Sequence, residues 1–137
     1  MMKVIVDKPR PDFRVFFDLL FGQGRNVDSE GDAYPVFSRE WRDLYFKDRE
    51  GDEPKVEIYA EIGNPLEFEV ESKSVRLEEL SALYLFLFCG DSISKGGIDL
   101  GVDAVNQLKI KYSGELLRAE NSIWHNSNEN NPYPNIA

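Results

Sequence analysis

Cysteine is all but missing from this 137-residue chain: Cys89 stands alone. No intrachain disulfide can form, and such usage suits a reducing compartment, so the expected location is the cytoplasm. Histidine is as scarce, with His125 the only one. A nitrogen- and sulfur-ligated metal centre therefore lacks its ligands, and a Cys–His nucleophile pair has no spare members. Cys89 closes an apolar run and reads as a small buried hydrophobe. Long apolar stretches are lacking too. The longest, residues 82–89, is far short of a membrane span, and residues 1–9 carry no signal-peptide core. Cations are outnumbered, with 16 Lys and Arg against 25 Asp and Glu, a net charge of −9. That balance repels phosphate and argues against nucleic-acid binding.

What is present is core material: nine Phe, six Tyr and two Trp. A chain of this mass should expose roughly 7,300 Å² when folded and bury about 68% of its extended surface, so it needs no disulfide or structural metal. We expect a single α+β domain over residues 1–120, followed by a polar tail, residues 121–137, with six asparagines and two prolines. Within the domain, Phe13, Phe16, Phe17, Leu20 and Phe21 mark one face of a helix over residues 12–22, which Asp12 can cap and Gly22 can stop. Residues 23–35, rich in Gly, Asp and Asn, read as loop. Asp28, Glu30 and Asp32 alternate like the start of a calcium loop, but Gly31 and Arg39 fall where such a loop needs other residues.

A strand is expected over residues 42–47 and a charged turn over 47–55. Two strands of clear alternation follow. Val56, Ile58, Ala60 and Ile62 share one face of the first, and Leu66, Phe68 and Val70 one face of the second, with Gly63, Asn64 and Pro65 as the turn. A second helix is expected over residues 77–88, although 84–88 also fits a buried strand. Residues 91–101 read as loop. Leu108, Ile110 and Tyr112 alternate as a strand, with a helix from Val102 the competing assignment. The resulting architecture is an antiparallel β-meander with helices packed on its apolar face.

The wet side of the hairpin carries Glu57, Tyr59 and Glu61 on one strand and Glu67, Glu69 and Glu71 on the other, without a Lys or Arg between Val56 and Glu71. A three-residue turn sets Glu61 opposite Glu67 and Glu57 opposite Glu71. Like charges so opposed cost up to about 1 kcal/mol a pair. Compensation could come from Lys47, Lys55, Lys73 or an arginine folding across, from a hard divalent cation, or from a basic protein partner; the face could also simply be solvated.

Gly90-Asp91-Ser92 resembles the first motif of the GDSL-type esterases, in which the serine is the nucleophile. Here the resemblance covers about seven residues, and His125 has Ser122 where that family places an aspartate. Without a base and its orienting acid the serine stays a poor nucleophile. A small hydrolase at this turn is the alternative function, with an adaptor or structural subunit as a further one.

The whole profile is small, acidic, aromatic-rich and without a catalytic constellation. It resembles the immunity proteins that bacteria pair with polymorphic or contact-dependent toxins, and the acidic hairpin and the charged loop carry the resemblance. That implies a non-enzymatic inhibitor without cofactor or metal, occluding a basic toxin domain such as a nuclease. The implied contact residues are Glu57, Tyr59, Glu61, Glu67, Glu69 and Glu71 together with Asp48, Glu50, Asp52 and Glu53. Tyr59, Tyr45 or Trp41 would be the buried anchors. A nucleic-acid mimic aimed at a DNA-binding protein would use the same physics.

Overall fold

The computed structural model describes residues 1–134, the side chains of Asn64 and Pro65 excepted. Strands β1 (Met2–Val6), β2 (Val27–Gly31), β3 (Asp43–Asp48), β4 (Val56–Glu61), β5 (Asn64–Ser72), β6 (Gly90–Lys95) and β7 (Ile98–Asp99) form one antiparallel sheet in the order β2-β3-β4-β5-β1-β6-β7. Helices α1 (Val15–Leu20), α2 (Val75–Cys89), α3 (Val102–Lys111) and α4 (Ser113–Glu120) lie on one side of it. This is the expected α+β architecture. The chain exposes 7594 Å², close to the value its mass predicts.

Strand alternation decides which side is covered. Met2, Val4, Val6, Leu44, Phe46, Val56, Ile58, Phe68, Val70 and Ile93 are all buried beneath the helices. Phe16 of α1 is the hub of the core, with its ring 5.5 Å from Phe46, 5.4 Å from Tyr84 and 6.1 Å from Trp41. Asp12 takes the backbone N–H of Arg14 at 2.9 Å as α1 begins, and Gly22, at a φ of 92° that favours glycine, follows its end. The last carbonyls of α1 are satisfied from other elements: Arg118 donates to Asp18 and Leu19, and Arg76 to Leu20.

Five segments differ from expectation, and the open assignment of 84–88 is resolved in favour of the expected helix. Residues 2–6, given no element above, form an interior strand, because β1 pairs with β5 on one side and β6 on the other. Residues 23–35 contain β2, and residues 91–101 contain β6 and β7. Few apolar residues mark them, so pairing with β3 and β1 supplies what local propensity lacks. The ambiguous segment 84–88 is helix: α2 begins with Ser74 accepting the N–H of Leu77, and its turns are buried nearly all round. Residues 107–111 belong to α3 and Tyr112 caps its end; Val105, Leu108 and Tyr112 face inward, while Ile110 of the apparent alternation is 76% exposed. The hairpin turn is Ile62 and Gly63 rather than residues 63–65, with Gly63 at φ 87°.

The tail is tied down. Ser127 donates to Asp12, Ser122 to Asp18, and Arg14 reaches the carbonyl of Pro132 at 2.8 Å. Residues 135–137 of that tail lie outside the described residues. No described helix is long and apolar enough to cross a membrane.

Candidate functional site

The uncovered face of the sheet is the candidate site. Because successive side chains on a strand point to opposite faces, the positions between the buried ones all face outward. Ladder pairing sets them in cross-strand rows. One row runs Asp43, Tyr59, Glu69, Lys3 and Ser94; the next runs Glu30, Tyr45, Glu57 and Glu71; a third holds Glu67, Ile5 and Ser92. All six expected hairpin residues, Glu57, Tyr59, Glu61, Glu67, Glu69 and Glu71, therefore share this surface.

The register departs from expectation at one end. Glu57 does oppose Glu71, but the ladder shifts after Ala60, so Glu61 pairs with Asn64 and Glu67 lies beside Ile5. The repulsion is partly relieved by a residue outside the set considered above. Lys3, projecting from β1, lies 2.7 Å from Glu61 and 3.7 Å from both Glu67 and Glu69. The hydrogen bond to Glu61 is the main reason the Lys3 ammonium is held above the ordinary lysine value, and the Glu61 carboxyl below its own. Lys55, one of the expected candidates, lies 2.6 Å from Glu57. Partial burial, then hydrogen bonding to Glu69 and Glu71, pushes the Tyr59 hydroxyl well up, so it stays a neutral donor. With Glu30 and Asp43 in the same rows, the acids outnumber Lys3, Lys55 and the outward-facing Lys47 of β3, and the face is acidic.

A groove of about 700 Å³ opens on this surface, lined by Arg42, Asp43, Glu57, Tyr59, Glu61 and Ile62. Its charged lining is three acids, Asp43, Glu57 and Glu61, against Arg42, and Tyr59 gives it one aromatic wall, a combination that receives a cationic side chain by charge and by ring contact.

The charged loop behaves differently. Asp48 is 4% exposed; its carboxylate receives Arg25 at 2.8 Å and the N–H of Glu50 at 3.0 Å. Glu50 accepts the N–H of Asn26 at 2.9 Å, and Glu53 pairs with Arg76 at 3.4 Å. Asp52 is exposed. Asp48 is therefore a structural acid, and the other three lie around the β3–β4 turn. Trp41 is 1% exposed and its indole N–H donates to Pro11, so it is a core residue and not a surface anchor. Tyr45 does lie on the open face, with the Lys55 ammonium 6.0 Å from its ring centre.

The other chemistry weighed in the sequence is scattered. Ser92 faces outward from β6, whereas His125 sits in the helical layer, stacked on Phe88 with Nε2 2.7 Å from the Ala119 carbonyl oxygen. Base and serine are thus on opposite sides of the sheet. The Cys89 thiol is pushed up to about 12, chiefly by burial, and donates to the Leu85 carbonyl oxygen. Asp28 pairs with Arg49, while Asp32 accepts the N–H groups of Arg42 and Asp43. Among the described residues no acidic, His or Cys cluster could hold a metal ion.

Sequence reasoning missed Lys3, Ile5, Asp43 and Glu30 as members of this face. The short alternation Lys3-Val4-Ile5-Val6 was the available signal for β1, but its neighbours on the sheet are some 60 and 90 residues away. No family model, curated protein or solved structure matches the chain.

Proposed function

We propose that this chain is a non-enzymatic binding protein, and most specifically a bacterial immunity protein that neutralises a basic toxin domain in the cytoplasm. The observation that carries the reading is one uncovered sheet face on which Glu57, Glu61, Glu67, Glu69 and Glu71 lie around Lys3 and Lys55, with Arg42 at the groove and Lys47 on the neighbouring strand as further cations. A face selected for stability alone would intersperse cations with these acids. A basic partner supplies them instead, and long-range attraction speeds the encounter. The groove beside Tyr59 offers a place for a lysine or arginine of that partner, and Tyr45 gives a second aromatic contact.

The test is affinity capture with the tagged chain at low and high salt, with the variant Glu57→Lys, Glu61→Lys, Glu67→Lys and Glu69→Lys alongside. A stoichiometric basic protein should be retained by the unaltered chain and bound at least about a hundredfold more weakly by the variant. Association should slow with salt by about tenfold while dissociation changes little. Equal retention by a variant of unchanged circular dichroism would move the interface away from this face.

A further inference from the structure

The two edges of the sheet are unlike. At the β7 edge, Leu100 donates to Ile93 and closes a hydrogen-bonded pair, which leaves Asp99 as the one β7 residue aiming its backbone groups outward. The β2 edge is longer. The N–H of Arg49 meets the carbonyl of Asn26 at 3.0 Å, and the N–H of Asp32 meets the carbonyl of Asp43 at 3.0 Å. Within that register Asn26, Asp28, Glu30 and Asp32 turn their backbone groups toward β3. Alternation then turns those of Val27, Ser29 and Gly31 away from the sheet, a row of donors and acceptors with no hydrogen-bond partner among the described residues.

We propose that this edge receives an extended, basic segment of the partner as an eighth strand; the inference rests on the acidic-face reading above and states how the partner is held. The open-face side chains of β2 are Asp28, which lies opposite Lys47 and pairs with Arg49, and Glu30, which continues the row through Tyr45, Glu57 and Glu71 to the sheet margin. An added strand with lysine or arginine at alternate positions meets these acids on one side. Its small apolar positions meet a groove of about 140 Å³ lined by Phe13, Ser29, Gly31, Ala33 and Leu44 on the other. A second copy of this chain fits less well, because β2 against β2 would bring Asp28 and Glu30 close to their own counterparts. Main-chain bonds supply affinity in this mode, and alternate side chains supply selectivity.

Two synthetic octapeptides of equal charge test it on the full chain: alternating Lys-Val, which can pair as a strand, and alternating Lys-Pro, which lacks half the donors. Lys-Val should raise amide-exchange protection at Val27, Ser29 and Gly31 by about tenfold, and Lys-Pro should not. The variant Ser29→Pro removes an outward N–H and leaves the β2–β3 bonds in place, so it should weaken Lys-Val by about threefold to tenfold and leave Lys-Pro unchanged. Ser29→Ala keeps the N–H and should bind as the unaltered chain does. Equal binding of both peptides without protection at those three amides overturns strand addition while the acidic-face reading stands. Binding of neither peptide overturns both.

Discussion

Carboxylates in the helical layer and carboxylates on the open face obey different accounting. Asp12 is wholly buried, and it meets Arg14 through two side-chain bonds, at 3.0 and 2.7 Å, and the hydroxyl of Ser127. Glu79 receives Tyr112 at 2.7 Å, Lys95 at 3.0 Å and Lys111 at 3.2 Å, which joins α2 to β6 and α3. Burial raises the Asp18 carboxyl, and Ser122 and Arg118 only partly offset it. Each buried acid has dedicated donors because an unpaired charge there would be intolerable. On the open face three glutamates share one lysine, since water completes the solvation. The contrast separates acids that hold the fold from acids that stay in contact with solvent.

The largest effect is expected from the buried set. Asp12→Ala strands the Arg14 guanidinium, which is 5% exposed and stacked 4.1 Å over Trp124, and it should lower stability by about 3–5 kcal/mol in urea unfolding. A loss below about 1 kcal/mol would erase the contrast. Glu79→Gln should cost less, about 1–3 kcal/mol. Burial alone would raise the Glu79 carboxyl, but Tyr112, Lys95 and Lys111 outweigh it and hold it below the ordinary value of 4.5. Its contribution is therefore full above about pH 4.5 and fades as pH falls through the lower folded value. The Gln variant should accordingly show a flatter acid limb in stability measured from pH 6 to pH 3. The smallest effect belongs to the open face. Glu71→Gln relieves the opposition to Glu57 and should leave stability unchanged or raised by no more than about 0.5 kcal/mol, read by the same unfolding curves.

Legibility of the chain followed the length and strength of its periodic signals. The aromatic stripe of α1, the alternation of β4 and β5 and the long apolar run of α2 were visible because each buries one side of a regular element. Strands β2, β6 and β7 were not, since Asp28-Ser29-Glu30 and Ser92-Ile93-Ser94 become strands only by pairing with a neighbour. The alternation through Leu108, Ile110 and Tyr112 pointed the wrong way, because two of those three residues lie on the inner face of a helix as well.

By itself the sequence determined the class of fold, the scarcity of histidine and cysteine, and the six hairpin residues that share one wet face. These follow from local spacing and composition, which need no knowledge of distant contacts. Tertiary structure alone decided that Lys3 would be the cation among those glutamates, that Asp48 and Trp41 would be withdrawn from the surface, and that β2 would form a free edge. Each depends on which strands lie side by side, and strand order is set by packing across the whole sheet rather than by the residues of any one strand.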